Sequence, residues 1–517
     1  MSSVLDDVVD EVEPATGIVS VTAGVTPSFL LSIDVGTSGV RAALFDERGN
    51  EVSGAQARSH RILPPVSDFA ELDADALVDE VVKTIDDLLT YHFHAAAQID
   101  FIAISAFWHS LIGIDADGRA TTPLLTWADT RAATFAKDLR SKFDEPELHQ
   151  RTGCRFHPSY WPAKLSWLKH ENSEKFQATR YWLGFAEYLC LRLFGETGMT
   201  ISMASATGFF NQRTCDWDWD FVEALSVSPD TLPEIKARTT LRLTDAFQFR
   251  WPALAEARLT SVIGDGAANN IGAGCSTKEK IALMVGTSGA MRVVFEGEPP
   301  DELPPALWCY RVSEQRVVVG GALSNGGGLV KWLTESLHVD DDRASLQRML
   351  AALEADSHGL TILPFWSGER SPGWSADARG TIIGLRQQTT PVEIMRATLE
   401  SIAYRFALIA GALDQIAPGA AIFASGNALR SSPVWLQIIA DVLGRPLMFG
   451  GTAEASIRGA ALLALEAVGK IATIEEDSVA VEQVFEPDMT RHALYQQGLA
   501  RQEELYERLY LAADERR

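Results

Sequence analysis

The chain has no run of eighteen apolar residues, so no segment is long enough to cross a bilayer as a helix. Its N-terminus lacks a basic segment followed by an apolar core. Residues 1–26 are acidic instead, which excludes a secretory signal peptide and predicts a disordered tail. Cysteine is scarce and scattered: Cys154, Cys190, Cys215, Cys275 and Cys309, odd in number and without a C-x-x-C. That excludes a disulfide framework and a cysteine zinc site, and predicts free or buried thiols in a reducing cytoplasm. Positive charge is the other shortage. Lys and Arg number 45 against 69 Asp and Glu, a net charge of −24. This argues against nucleic acid or an anionic membrane as a partner. An anionic substrate would have to be met by local cations, because the overall field repels it.

At 517 residues the chain is too long for one core and predicts more than one domain. Its most informative feature occurs twice. Phe29 to Phe45 reads FLLSIDVGTSGVRAALF, and Ile281 to Phe295 reads IALMVGTSGAMRVVF. Each copy is an apolar run of strand length, then Gly-Thr-Ser-Gly, then an Arg and a second apolar run. The small turn lets backbone N–H groups and two hydroxyls approach one anion. One such turn would be unremarkable, since Gly and Ser dominate turns. Two copies about half a chain apart predict related half-molecules facing each other across a cleft. They differ two residues before the first Gly, where Asp34 is matched by Met284. A carboxylate suits Mg2+, which takes hard oxygen ligands, and a Met does not. The first loop is therefore expected to handle the metal and the transferred phosphate, and the second the rest of a nucleotide.

Between the copies the pattern is α/β: a helix over about 75–91, then a buried strand over 99–105. Trp108 and His109 follow that strand, where open α/β sheets bind ligands. His109 is either a substrate contact or a structural histidine held by backbone. Asp129 and Arg131 are expected to pair, and Trp127 to wall a pocket. Residues 151–171 mix aromatics with Arg155, His157 and Lys164, and a helix starts near Pro162. Ser202 to Thr207 is small and polar and suits a close-packed or ligand-facing turn. Asp265 ends a short strand before a Gly-rich helix start, placed either as a general base or as an N-cap. Gly320 to Gly328 forms a phosphate-binding turn, a hinge, or both. Residues 363–384 are a long ordered loop anchored by Phe365, Trp366 and Trp374. Helices are expected over 391–413, 434–443 and 456–468, and a charged, solvated one over 495–517.

Taken in order, Asp-x-Gly-Thr-Ser from Asp34, Trp-Ala-Asp-x-Arg from Trp127, Gly-Asp-Gly from Gly264, Gly-Thr-Ser-Gly from Gly286, the Gly-rich turn, Gly-Glu-Arg-x-Pro from Gly368, the Ser425-Gly426 turn and Gly-Ala-Ala from Gly459 resemble the FGGY carbohydrate kinases. The resemblance covers about Pro27 to Gly469. It implies an α/β fold of two actin-like (ribonuclease H-like) ATPase domains with a catalytic cleft between them, and ATP and Mg2+ as cofactors. The expected division is 27–275 for the sugar, phosphate and Mg2+ side and 276–517 for the nucleotide side. By the same resemblance Asp265 is the catalytic base and lies near the metal with Asp34. Thr37 and Ser38 form the γ-phosphate loop, and Gly286 and Thr287 the loop nearer the β-phosphate. Gly327 and Lys331 fall at nucleotide contacts, Gly426 and Asn427 at the adenine turn, and Trp108 and His109 at the substrate. Two positions depart from the pattern: Asn427 where a second Gly is common, and Thr200 where Asp often precedes the Ser-x-Ala-Ser segment.

Several phrases look closest to gluconate kinases: Arg151-Thr-Gly with His157-Pro158, Gly286 to Arg292, Trp308-Cys-Tyr310 and Asn325-Gly-Gly. The resulting expectation is an ATP-dependent kinase of a sugar acid, D-gluconate to 6-phosphogluconate. Its pocket would be lined by Trp108, His109 and Trp127, with Arg155 and Lys164 as carboxylate anchors. The alternatives are a xylulose, ribulose or other polyol kinase and, more remotely, a silent sugar-sensing protein of the same fold. The expected partner is a small sugar or sugar acid, with no nucleic acid or membrane, and a homodimer is the assembly to check for. The expected location is the cytoplasm, with a hinge near Cys275 to Lys278.

Overall fold

The computed structural model describes residues 28–36, 39–52, 56–58, 70–92, 98–237, 240–339, 342–451, 454–475 and 481–511. The tail expected at 1–26, and Thr37 and Ser38 of the first turn, lie outside the described residues.

Two mixed sheets carry the fold, and each is built on one copy of the repeated hairpin. In the first, β1 (Ser28–Gly36), β2 (Gly39–Phe45) and β3 (Gln56–Arg58) run antiparallel. Helix α1 (Ala74–His92) then leads to β4 (Gln98–Ala106), which returns parallel to β1. Leu77, Val81, Ile85 and Leu88 of α1 are buried while Lys83 is exposed, the division that its helical spacing predicts. After α2 (Trp161–Glu171) and α3 (Phe185–Phe194) come the edge strand β5 (Leu241–Arg242) and β6 (Arg258–Gly264), the latter parallel to β4. The strand order is β5-β6-β4-β1-β2-β3.

Helix α4 (Asp265–Gly272) leaves β6 and crosses to the second sheet. There β7 (Lys280–Val285) and β8 (Gly289–Glu296) form the second hairpin, followed by β9 (Trp308–Arg311) and β10 (Arg316–Leu323). Helices α5 (Gly327–Ser336) and α6 (Pro391–Leu413) precede β11 (Ala421–Ser425). Then come α7 (Pro433–Leu443), β12 (Leu447–Gly450), α8 (Ala455–Ala467), β13 (Val481–Phe485) and α9 (Met489–Tyr506). The order β9-β10-β8-β7-β11-β12-β13 repeats the pairing of the first sheet: a hairpin, then two strands parallel to its first member. The sequence repeat is thus a structural one. Among the described residues no helix is long and apolar enough to cross a membrane, and none of the five cysteines is in a disulfide.

The halves meet where α4 and α8 cross. Each helix follows the last parallel strand of its own sheet, and each brings a glycine to the crossing. A Cβ on Gly272 would lie 1.8 Å from the Ala455 carbonyl oxygen, and one on Gly459 1.8 Å from that of Ala268. The two backbones therefore approach more closely than any side chain would permit. Past the crossing, α8 packs beneath the first sheet. The Ser32 hydroxyl donates to the Ile457 carbonyl at 2.7 Å, and Ile457, Ala460, Ala461 and Leu465 join the core of the first half.

Two local expectations are corrected. Residues 202–207 are close-packed, as one reading had it, but most of them lie in a helix and not a turn: Ile201–Ser205 is a short helix. Thr200 caps it, accepting from the Met203 N–H and donating to the Val262 carbonyl. The C-terminal helix starts at Met489 and carries a buried stripe beside its solvated face, while residues 512–517 of the expected span lie outside the described residues. Tyr495, Gly498, Gln502 and Tyr506 are buried, and the Gln502 amide donates to the carbonyls of Ile362 and Ser401.

The crossing yields a stability prediction. Gly459→Val is expected to lower stability by about 1–3 kcal/mol, as overpacked contacts do. Gly411→Ala, where an added Cβ meets nothing within 4 Å, is expected to be neutral or stabilising. Denaturant unfolding of both variants checks the pair, and equal effects would remove the close approach as the cause.

Candidate active site

The carboxyl ends of three parallel strands converge at the cleft. Asp34 is buried near the end of β1. Its Oδ1 accepts from the Ser105 hydroxyl at 2.7 Å and its Oδ2 from the Arg41 guanidinium at 3.2 Å. Burial nevertheless raises its pKa above the usual carboxylate value. Asp265 stands where β6 gives way to α4 and accepts from the Gly266 N–H at 2.8 Å. Burial pushes its carboxyl up to about 6; nearby Arg292 opposes the shift and Asp34 adds to it. The pKa of Glu454, just before α8, is also raised, by burial first and partly by Asp34. Arg41 bridges to it at 3.1 Å. Several oxygen donors that burden one another electrostatically fit a hard divalent cation, which would relieve all of them.

Glycines flank Asp265 for a steric reason. The Trp108 ring lies against the backbone of Gly264 to Gly266, where added Cβ atoms would fall 1.8 and 2.7 Å from ring atoms. The Trp108 indole N–H donates to the Ser202 carbonyl at 3.0 Å, so the Ile201–Ser205 helix holds the ring in place. His109 has φ 66°, a left-handed conformation unusual for a non-glycine residue. Its Nδ1 lies 2.7 Å from the Ala206 carbonyl and must donate to it, which leaves Nε2 as an acceptor. Burial pushes this histidine down to about 3, so it is neutral at working pH. The structural reading of His109 is met at one nitrogen, which backbone fixes, and no hydrogen bond to the other is seen among the described residues. The second half closes the cage. Trp308 and Tyr310 pack against Trp108 at 6.1 and 5.1 Å, and the hydroxyls of Tyr160 and Tyr310 meet at 2.7 Å.

The two cations expected as carboxylate anchors are spent elsewhere. Lys164 is buried and donates to the carbonyls of His109 and Thr126 at 2.6 and 2.8 Å. Burial pushes it down to about 7. Arg155 pairs with Glu145 at 2.8 Å and reaches the Pro305 carbonyl. Both brace the pocket wall. Asp129 and Arg131 form the expected ion pair at 2.6 Å, shared with Glu71.

The cations at the pocket are Arg292 and Arg370. Arg292 is the Arg of the second repeat, so its signal was in the sequence. Arg370 belongs to the 363–384 loop, which carried no readable chemistry. Its guanidinium stacks 4.7 Å from the Trp127 ring centre. The loop is held from behind by buried Glu369, which pairs with Arg405 and accepts from the Tyr506 hydroxyl of α9 at 2.7 Å. No local signal could link Glu369 with Tyr506, because the contact spans two distant elements.

In the second half, Gly286, Thr287, Gly327 and Gly426 come together. The Gly327 N–H donates to the Gly286 carbonyl, and those of Gly326 and Gly328 to Thr287. These donors are therefore not free for a phosphate, as was expected of this turn; they fix the second hairpin instead. Gly426 has φ 108°, and a Cβ there would fall 2.3 Å from the Val285 carbonyl oxygen. Asn427 follows with an exposed side chain. Lys331 does not join the group: one turn into α5, its side chain is 78% exposed, near Glu335. Away from the cleft, ligand atoms of Asp356, His358 and Glu400 lie within 4.8 Å of one another. His358 and Glu400 hydrogen-bond to each other, Glu400 also pairs with Arg396, and Asp356 pairs with Arg501.

Duplicated sheets, glycine hairpins on both and carboxylates at the strand ends define a phosphotransferase of the actin-like class. The chain belongs to the FGGY family of carbohydrate kinases: the family's N-terminal domain matches residues 29–272 and its C-terminal domain residues 281–468. It is 30% identical to a gluconokinase of Bacillus subtilis (strain 168), over 86% of this chain and 88% of that one. The crystal structure of a gluconate kinase from Lactobacillus acidophilus superposes with a TM-score of 0.85 at 27% identity, covering 94% of this chain and 98% of that one. A ligand-bound xylulose kinase from the same organism gives the same TM-score and identity, with coverage of 93% and 98%.

Asp265 carries two linked predictions. Asp265→Asn is expected to lower kcat by about 10²–10⁴-fold while ATP binding persists; near-normal turnover would remove Asp265 as the base. The stability effect has the opposite sign. A native pKa of about 6, above the unfolded value of 3.8, means that the folded state holds this proton more tightly. That contribution is fully present below pH 3.8 and is lost as pH rises through 6. Asp265→Asn should therefore melt above the wild type at pH 8, with the gap shrinking toward pH 4.

Proposed function

We propose that this carbohydrate kinase transfers the ATP γ-phosphoryl, with Mg2+, to the terminal hydroxyl of D-gluconate, forming 6-phosphogluconate. The carrying observation is Asp265: a half-buried carboxyl with its pKa pushed up to about 6, at the start of α4, near Arg292 and between two glycines that pack against the Trp108 ring. Such a group is ionised at neutral pH yet basic enough to take a proton from a hydroxyl. Phosphoryl transfer otherwise needs positioning and charge neutralisation. Asp34 and Asp265 would hold Mg2+, which neutralises phosphate charge when bound. Trp108 and the neutral His109 orient the polyol, the latter through its free Nε2. Gly286, Thr287, Gly426 and Asn427 receive the nucleotide. Gluconate is favoured by the gluconokinase relative and by the phrases from Gly286 to Arg292 and around Trp308. A ketopentose substrate is the second reading, favoured by the equally similar xylulose kinase structure.

A coupled ADP assay comparing kcat/KM for gluconate, xylulose, ribulose and glycerol tests the choice. Gluconate is expected to lead by at least about 10²-fold. Preference for a neutral substrate would overturn gluconate and leave the kinase standing. The two units, 27–275 and 276–517, are proposed to close about Cys275 to Lys278 when sugar and nucleotide bind. Small-angle scattering should then show a smaller radius of gyration at saturation, and an unchanged radius would count against closure.

A further inference from the structure

The strand that ends at Asp265 lacks a full neighbour on one side. β5 pairs with β6 only at Leu241 with Leu259 and Arg242 with Arg258. On its other side β6 is paired by β4 as far as Gly264. Among the described residues no strand covers the β5 side beyond Leu259. An uncovered edge leaves backbone N–H and C=O groups to be satisfied by other means. Two hydroxyls do this here. The Thr200 hydroxyl donates to the Val262 carbonyl at 2.8 Å, and the Ser202 hydroxyl accepts from the Gly264 N–H at 3.2 Å. Val262 and Gly264 are two residues apart on one strand, so their backbone groups face the same edge. Thr200 and Ser202, also two residues apart, thus take the place of a neighbouring strand at the end of β6.

The residue after Gly264 is the proposed base. Asp265 sits between two glycines, so neither neighbour has a side chain to pack its backbone in place. The Trp108 ring fills that space, since added Cβ atoms on Gly264 and Gly266 would fall 1.8 and 2.7 Å from it. Glycine is the residue least restricted by its own covalent structure, and restraint has to come from outside. Ser202 supplies two parts of it. Its carbonyl accepts from the Trp108 indole N–H at 3.0 Å while its hydroxyl holds the Gly264 N–H. Ser202 and Thr200 are both buried. Their short helix is itself tied at the far end, where the Gln212 side-chain amide donates to the Ser205 carbonyl at 3.0 Å.

We infer that Ser202 and Thr200 are positioning residues for the base: their hydroxyls fix the end of β6 and so aim the Asp265 carboxyl at the hydroxyl it deprotonates. This rests on the reading of Asp265 as the base. Both residues act through backbone, Ser202 through Gly264 and Thr200 through Val262. A general base works only within hydrogen-bond reach of the proton it takes, and misplacement by about 1 Å can cost on the order of 10²-fold in rate. Thr200 stands where Asp often precedes the Ser-x-Ala-Ser segment. A carboxylate there could cap the helix but could not donate to the Val262 carbonyl, so this bond belongs to the threonine.

A double-mutant cycle tests it. With ATP and the preferred of gluconate, xylulose, ribulose and glycerol, kcat and both KM values would be measured well below the melting temperature. The proteins are wild type, Ser202→Ala, Asp265→Asn and the double variant. Ser202→Ala is expected to lower kcat by about 10-fold or more and to leave both KM values nearly unchanged. In the Asp265→Asn background the same substitution should cost almost nothing, because a base that is absent cannot be misaimed. Thr200→Val should repeat the loss, and Thr200→Ser, which keeps the hydroxyl, should not. A folded Ser202→Ala protein with wild-type kcat overturns the assignment. Equal losses with and without Asp265 overturn it too, since they mark a role independent of the base. If Ser202→Ala does not fold, the same two outcomes in a Thr200→Val cycle decide it. Near-normal turnover by Asp265→Asn alone removes the base reading and this assignment with it, whereas the other outcomes leave the base standing.

Discussion

Everything at the cleft depends on how closely α4 and α8 approach each other. Gly272 and Gly459 let two helix backbones touch where a single methyl group would collide with a carbonyl oxygen 1.8 Å away. Each helix begins at the carboxyl end of a parallel strand. The crossing therefore draws together the strand ends of both sheets, where the glycine hairpins and carboxylates are. Asp265 is the first residue of α4 and Glu454 immediately precedes α8. The acids nearest the proposed metal thus sit at the starts of the two helices that join the halves. A change in crossing distance would move both.

The site is electrically expensive. Asp34, Asp265 and Glu454 all have raised pKa values, with burial the largest cause. Arg292 and Arg370 are disfavoured as cations for the same reason. Such an arrangement lowers stability and would be relieved by bound groups of complementary charge. The rest of the structure supplies the rigidity that this strain requires. Trp108 is pinned by Ser202, His109 by Ala206, and the Arg370 loop by Arg405 and Tyr506.

Local pattern carried a large part of the reading. The apolar spacing of Leu77 to Leu88 gave α1, and the helical pattern over 391–413 gave α6. The Asp129 and Arg131 pair followed from spacing, and the twin Gly-Thr-Ser-Gly phrases announced the two sheets. Three failures at the site share one cause. Arg155 and Lys164 have the right charge near the right motif, but Glu145 and two carbonyls reach them first. Gly327 has the right backbone, yet its N–H is taken by Gly286. In each case residue type was legible and its partner was not.

The sequence by itself determined that the chain is a duplicated α/β kinase with a carboxylate on its first phosphate hairpin and another at a helix start. Those features are written in local runs whose periodicity and turn chemistry need no distant partner. Tertiary structure alone decided which cations remain free in the pocket, which histidine nitrogen is left to accept, and that the terminal helix braces Glu369. Burial and pairing are properties of three-dimensional neighbours. Tyr506 and Glu369 lie 137 positions apart, and only the fold makes them adjacent.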